Sequence, residues 1–329
     1  MPFEGGYLLD KNNTLTTSVE DTKVPWYKNS QAQKWIFLAV VLGPAFACYF
    51  AFSLYPNILT AYYSFFRWDG VGPKIFIGLR NYEKMITDPF LYKALLNNLI
   101  LASACPLLVI MISVILAYLL VTRRYKEAGF YKVLFFLPNV LSSVVVALLW
   151  TFIYDGQWGL LNKVLELIGI DMGGFYWLGS EKTALLAIIP LYVWSGVGFY
   201  VIVFMNAINS IPASLYESAI LEGAGNMQRL FKITLPLISG VIRVGIIFMV
   251  LGSFKGFETI LIMTNGGPYS STNVIGLYMF NFAFSSTEIG GFNQHDFGYA
   301  STIGMFLFVV LVGANLIVNK LFKHEAVEY

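Results

Sequence analysis

Residues able to do chemistry are sparse in this chain of 329 residues. His295 and His324 stand apart, in a loop and a tail, so neither a metal site nor a proton relay is expected. Cys48 and Cys105 lie inside long apolar runs, the setting of small core hydrophobes rather than of redox or metal-binding thiols. Asp155, Glu166 and Asp171 lack the paired spacing that acid–base catalysis needs. There is no G-x-x-x-x-G-K-[ST] and no Gly-Lys pair, so the chain cannot cradle nucleotide phosphates by the P-loop device. No catalytic residue, bound metal or cofactor is therefore expected. What remains is a glycine-punctuated segment with two glutamates, Asn209 to Ile238, and polar residues set among glycines and aromatics around Tyr192 and Ser253.

The elements that must position these residues follow from where charge is missing. The chain is 57% hydrophobic and 12% charged, with mean hydropathy +0.67. Soluble domains carry about a quarter charged residues, so this is an integral membrane protein, and its net charge of +2 indicates no nucleic-acid partner. A bilayer core about 30 Å thick needs about 20 apolar helical residues. Charge-free windows run from Trp35 to Phe66, Ala94 to Thr122, Val133 to Tyr154, Thr183 to Tyr216 and Phe297 to Asn319. A sixth, about Leu237 to Ile262, is interrupted by Arg243, Lys255 and Glu258. Runs such as Leu107 to Val121 do not alternate polar with apolar as barrel strands do. The reading is an all-α protein with six transmembrane helices.

Twelve Lys/Arg fall in segments that are inner if the N-terminus is inside, against seven in the outer ones, which places both termini in the cytoplasm. The inner set includes Lys11, Lys23, Lys28 and Lys34, then Arg123, Arg124, Lys126 and Lys132, and later Arg229, Lys232, Lys320 and Lys323. The first 34 residues hold Glu4, Asp10, Glu20 and Asp21 without a short apolar core, unlike a cleaved signal peptide. Residues 1–34 thus read as a cytoplasmic N-terminal segment, either disordered or packed on the cytoplasmic face, residues 35–320 as the membrane domain, and residues 321–329 as a cytoplasmic tail. Trp158 and Trp177 read as interfacial anchors, and Thr264 to Pro268, "TNGGP", as a turn opening an outer segment that ends at Asp296.

Asn209 to Ile238 carries Pro212 and Ser214 as a helix start, the helix formers "ASLYESAILE", and a break at Gly223 and Gly225. A second short helix, about Asn226 to Ile233, leads to Pro236 at the start of the fifth membrane helix. Two short angled helices on the inner face make a protruding knob. On residue chemistry alone, an ordinary loop with an amphipathic helix is the preferred reading.

This segment resembles the cytoplasmic EAA loop of binding-protein-dependent ABC importer permeases: Glu217-Ser218-Ala219, Glu222-Gly223-Ala224, then Ile233-Thr234-Leu235-Pro236. Ser218 replaces an alanine and Glu222 an aspartate, and the spacing is intact. Phe76 to Leu99, Phe135 to Trp150, Gly159 to Asn162, Trp177 to Gly179, Met263 to Thr272 and Phe297 to Thr302 follow the order of the carbohydrate-importer branch, closest to the larger membrane subunit of the maltose type. The resemblance covers about residues 35 to 320 and implies the type I importer permease fold. It implies that the EAA loop docks on a separate ATPase, with Glu217 as polar anchor, Ala219 and Ala224 allowing close packing and Gly223 the turn. It further implies a second homologous permease, two ATPase subunits that use ATP and Mg, an extracytoplasmic solute-binding protein, a sugar substrate and the cytoplasmic membrane of a prokaryote.

The same resemblance places sugar contacts at Tyr192, Ser195, Gly196, Phe199, Gly252, Ser253 and Gly256. Packing glycines and lipid-facing aromatics are the alternative for each taken singly. Lys255 and Glu258, three apart, either pair with each other or line the polar path. Arg243 reads as a snorkelling residue near the inner boundary. Glycerol-phosphate-type importers share these motifs, which leaves an organophosphate or uronate as the rival substrate. An ion-coupled secondary transporter would need carboxylates inside the first four helices, and a membrane enzyme paired acids or histidines; the sequence has neither.

Overall fold

A computed structural model describes residues 30–122, 127–284 and 295–321. Residues 1–29, the charges at Arg123, Arg124 and Lys126, part of the outer segment, and the tail with Lys323 and His324 lie outside the described residues. The chain divides into two compact units, residues 1–58 and 59–329.

The first span is α1 (Ser30–Tyr49), a π turn (Phe50–Leu54) and α2 (Tyr55–Tyr63). The π turn stands just before Pro56, which has no N–H to offer the preceding turn and crowds its carbonyl. A second π turn (Leu230–Thr234) stands in the same relation to Pro236. After α2, strands β1 (Phe66–Arg67) and β2 (Ile75–Phe76) pair antiparallel, Phe66 opposite Phe76. Helix α3 (Arg80–Ile86) then leads to α4 (Pro89–Thr122), with Asp88 as its N-cap and proline in the first helical position.

Two spans are broken. Helices α5 (Ala128–Val140) and α6 (Ser143–Ile153) meet at 97°. Leu141 and Ser142 are extended there, and Ser142 Oγ caps the new helix by accepting from Val145 N–H. Helix α7 (Leu160–Leu167) follows, then α8 (Ala184–Asn209), the long partner of α4. Gly198 makes one crossing close: a Cβ there would lie 1.8 Å from the Phe135 carbonyl oxygen, so only glycine lets α5 and α8 approach. Helices α9 (Ala213–Leu221), α10 (Asn226–Arg229) and α11 (Leu235–Leu237) form the segment between α8 and the next long helix. From Ile238 the chain turns by 70° into α12 (Ser239–Lys255), followed by α13 (Glu258–Met263), α14 (Ile275–Phe284) and α15 (Phe297–Leu321). Among the described residues four helices are long and apolar enough to cross a membrane, and the count rises to as many as six if each of the bent pairs 129–153 and 226–255 is one span.

Three apolar clusters fill the second unit. One centres on Ile188, Leu191 and Ile260, one on Val109, Val201 and Phe204, and one on Leu91, Ile275 and Ile303. The third is closed by a polar pin. Buried Asp88 accepts from Phe90 N–H and Leu91 N–H through Oδ1 and from the Tyr278 and Tyr299 hydroxyls through Oδ2, tying α4, α14 and α15 together.

The structure adds detail to the sequence reading at three places. Pro236 stands just before the 70° bend at Ile238 within the 226–255 pair, and α12 begins beyond that bend at Ser239. The segment after the TNGGP turn is not simply an outer loop, because α14 lies within it and buries Ile275, Leu277 and Tyr278. Arg243 is bonded to α15 at Asn319 Oδ1, 2.7 Å away.

Candidate coupling surface and translocation path

The coupling segment is shaped by a helix C-cap. Helix α9 ends with Glu222, and Gly223 takes φ +82°. Gly223 N–H donates to the Ile220 carbonyl and Ala224 N–H to the Ala219 carbonyl, both bonds of a Schellman motif. The Glu-Gly-Ala sequence is therefore a terminator: glycine supplies the left-handed residue and the flanking positions supply the bonds. The chain re-enters helix at Gly225, whose N–H donates to Gln228 Oε1. Tyr216 and Thr234 hydroxyls, 2.8 Å apart, fasten α9 to the second run, and Tyr118 of α4 donates to the Asn226 carbonyl. Burial pushes the Tyr216 phenol above its usual pKa, partly offset by that bond to Thr234.

Glu217, Ser218, Glu222, Gly223 and Pro236 are exposed, and Ala224, Ile233 and Leu235 half-buried. Ala219 is only 9% exposed and packs against its own chain. The knob also exposes Leu221 (88%), Met227 (69%), Ile220 and Phe231, residues the motif did not single out although their apolar character at a turn was a legible signal. At its base lies a cavity of about 490 Å³ between the ends of α4 and α8, bordered by Tyr216, Glu217 and Arg229.

The candidate path residues converge in part. Tyr192, Gly196, Gly252 and Ser253 border one cavity of about 170 Å³ between α4, α8 and α12. Leu101, Cys105, Tyr200 and Met249 complete its wall and were not anticipated as lining. Ser195, Phe199 and Gly256 do not border it: the Ser195 hydroxyl donates to the Leu191 carbonyl, Phe199 meets Tyr200 edge-on, and Gly256 sits at the break after α12.

That break has a stated cost and a stated remedy. Gly256 turns extended, so the Ser253 carbonyl loses its place in the helical ladder. Asn98 of α4 donates to that carbonyl at 3.0 Å and accepts from Ile275 N–H at 2.8 Å. One amide thus holds both the broken end of α12 and the start of α14. Lys255 and Glu258 end and begin separate helices, are both exposed, and form no ion pair with each other, which removes the pairing expected from their spacing.

The architecture is thus an α-helical membrane chain in which a capped helical knob is joined to cavity-lining helices. Residues 85–324 match the family described as binding-protein-dependent transport system inner membrane component. The chain is 34% identical over 299 residues to the diacetylchitobiose uptake system permease protein NgcF of Streptomyces coelicolor, over 87% of this chain and 82% of that protein. It is similar, at TM-score 0.75 and 26% identity, to a chain in the crystal structure of a bacterial ABC transporter involved in the import of the acidic polysaccharide alginate, over 88% of this chain and 96% of that one. A bacterial alginate ABC transporter in complex with alginate pentasaccharide-bound periplasmic protein gives 0.74 and 25%, over 89% and 96%. The chain belongs to the binding-protein-dependent transport system inner membrane component family. It is a membrane-embedded ABC importer permease with the type I fold, a transport component rather than an enzyme, working with a solute-binding protein.

Proposed function

We propose that this permease, paired with a second homologous permease, forms the transmembrane path for a sugar or oligosaccharide, and that two separate ATPase subunits, which bind ATP and Mg, drive it through the α9 knob. The observation that carries the reading is connectivity. The knob is joined to α8 by Ser210, Ile211 and Pro212, and to α12 by the turn at Ile238, and α8 and α12 are the helices that line the Tyr192 cavity. A displacement of the knob is therefore delivered to both walls of the path through these two short connections. Exposed Glu217 and the apolar tip at Leu221 and Met227 supply a charged anchor and a dehydrating contact for the ATPase.

The Lys/Arg distribution supports an inner knob with both termini cytoplasmic, in a prokaryotic plasma membrane. The carbohydrate reading is supported by the named relatives and by a cavity combining the Tyr192 and Tyr200 rings with the Ser253 hydroxyl. A neutral sugar needs flat apolar faces for its C–H surfaces and hydroxyl partners for its edges. The test is uptake into proteoliposomes holding the whole importer, with a panel of labelled oligosaccharides loaded on the binding protein. Transport of a neutral sugar supports the reading, and transport confined to glycerol phosphate or a uronate replaces it.

A further inference from the structure

A third cavity, of about 410 Å³, opens at the end of the bundle opposite the knob. The placement follows from the chain: Asn209 of α8 leads into the knob, whereas Leu178 and Gly179, which border this cavity, precede the other end of that 26-residue helix. We infer that this cavity is a carbohydrate subsite, where the sugar first meets this chain before it reaches the Tyr192 cavity. The inference rests on the carbohydrate reading above.

Three side chains make the chemistry. Tyr176 is 51% exposed and borders the cavity, and an exposed aromatic ring there is suited to a sugar's C–H surface. Asp155 uses Oδ1 to accept from Gln157 N–H (2.9 Å) and Trp158 N–H (2.8 Å), which fixes the carboxylate, and Oδ2 has no partner among the described residues. Tyr154 is 5% exposed as a residue and borders the cavity, and its hydroxyl makes no hydrogen bond among the described residues, so it can bond a group that enters. A stacking face, a fixed acceptor and a waiting hydroxyl are what a polyhydroxylated ring requires, and the volume falls in the range of small-ligand pockets.

The two cavities are separated by the apolar cluster that contains Ile188, Leu191 and Ile260. Tyr154 and Met263 of this cluster border the 410 Å³ cavity, and Leu101 and Cys105 border the other. Sugar held at Asp155 and Tyr176 therefore waits outside a dry barrier that must part before it moves inward.

The experiment uses the whole importer in proteoliposomes, with the oligosaccharide from the panel that native importer transports best, and measures sugar moved per ATP hydrolysed. Asp155→Asn keeps Oδ1 and its turn while turning the free acceptor into a donor, and Tyr176→Ala removes the stacking face. Each is expected to lower sugar moved per ATP about twofold to tenfold, with basal ATPase unchanged, and Tyr176→Phe is expected to match native. Sugar-to-ATP ratios equal to native in both Asp155→Asn and Tyr176→Ala overturn the subsite and leave the carbohydrate reading standing. A native importer that moves no sugar overturns both. If Tyr176→Ala fails to assemble, Asp155→Asn decides alone.

Discussion

Gly223→Ala isolates the backbone geometry of the coupling knob from its contacts. Gly223 has φ +82°, and a Cβ there would meet no atom within 4 Å. The substitution therefore creates no clash, and its whole cost is the left-handed conformation, about 1–2 kcal/mol for a residue with a Cβ. The neighbouring Gly225 is equally uncrowded but sits at φ −70° and ψ 169°, the geometry of an N-cap. Gly225→Ser places a favoured capping residue there and serves as the matched control. If the ATPase grips α9 in its native orientation, a strained turn must be restored on binding, and 1–2 kcal/mol weakens that binding about 5–30-fold. The assay titrates the ATPase into native, Gly223→Ala and Gly225→Ser permease in nanodiscs. Thermal unfolding of the membrane core should not move, since the turn is exposed and local. Native-like binding and coupling in Gly223→Ala would refute the claim that this turn is a rigid transmitting element.

Gly198→Ala puts a methyl 1.8 Å from the Phe135 carbonyl oxygen, which forces α5 and α8 apart; a clearly lowered midpoint of thermal unfolding in nanodiscs is expected, whereas Gly240→Ala, with nothing nearby, should leave it in place. Asp88→Ala strands two tyrosine hydroxyls and two backbone N–H groups; a loss of about 3 kcal/mol or more is expected, read as a lowered unfolding midpoint. Asn98→Ala leaves the Ser253 carbonyl and Ile275 N–H without the partner they share; a loss of about 2 kcal/mol is expected, with faster hydrogen exchange confined to the ends of α12 and α14.

The sequence made the spans legible because a charge inside a bilayer is so costly that its absence marks each helix. The coupling segment was legible for a different reason: Pro212, Gly223 and Gly225 are local backbone instructions, and the Schellman turn obeys them. What stayed hidden depends on partners distant in sequence. A helix apolar all round carries no periodicity to say which face is buried, so the pairing of α4 with α8, the Gly198 crossing and the burial of α14 had no local signal. The Asp88 pin joins residues 190 and 211 positions apart. Of the two readings for Lys255 and Glu258, the pairing required an unbroken helix, and Gly256 broke the helix between them. Four candidate path residues met at one cavity; Ser195 and Phe199 did not, because on the continuous helix α8 Tyr192, Gly196 and Tyr200 share a stripe that those two positions flank, and Gly256 did not because it sits at the break after α12.

The central claim is that exposed Glu217 on α9 couples this permease to a separate ATPase. The most direct measurement is ATPase activity of the reconstituted complex, native against Glu217→Ala, with sugar-loaded binding protein. The account predicts that the loaded binding protein stimulates hydrolysis in the native complex and that Glu217→Ala abolishes the stimulation or releases the ATPase, while the permease unfolds at its native temperature. Full stimulation in Glu217→Ala, or a permease that binds no ATPase at all, would contradict it.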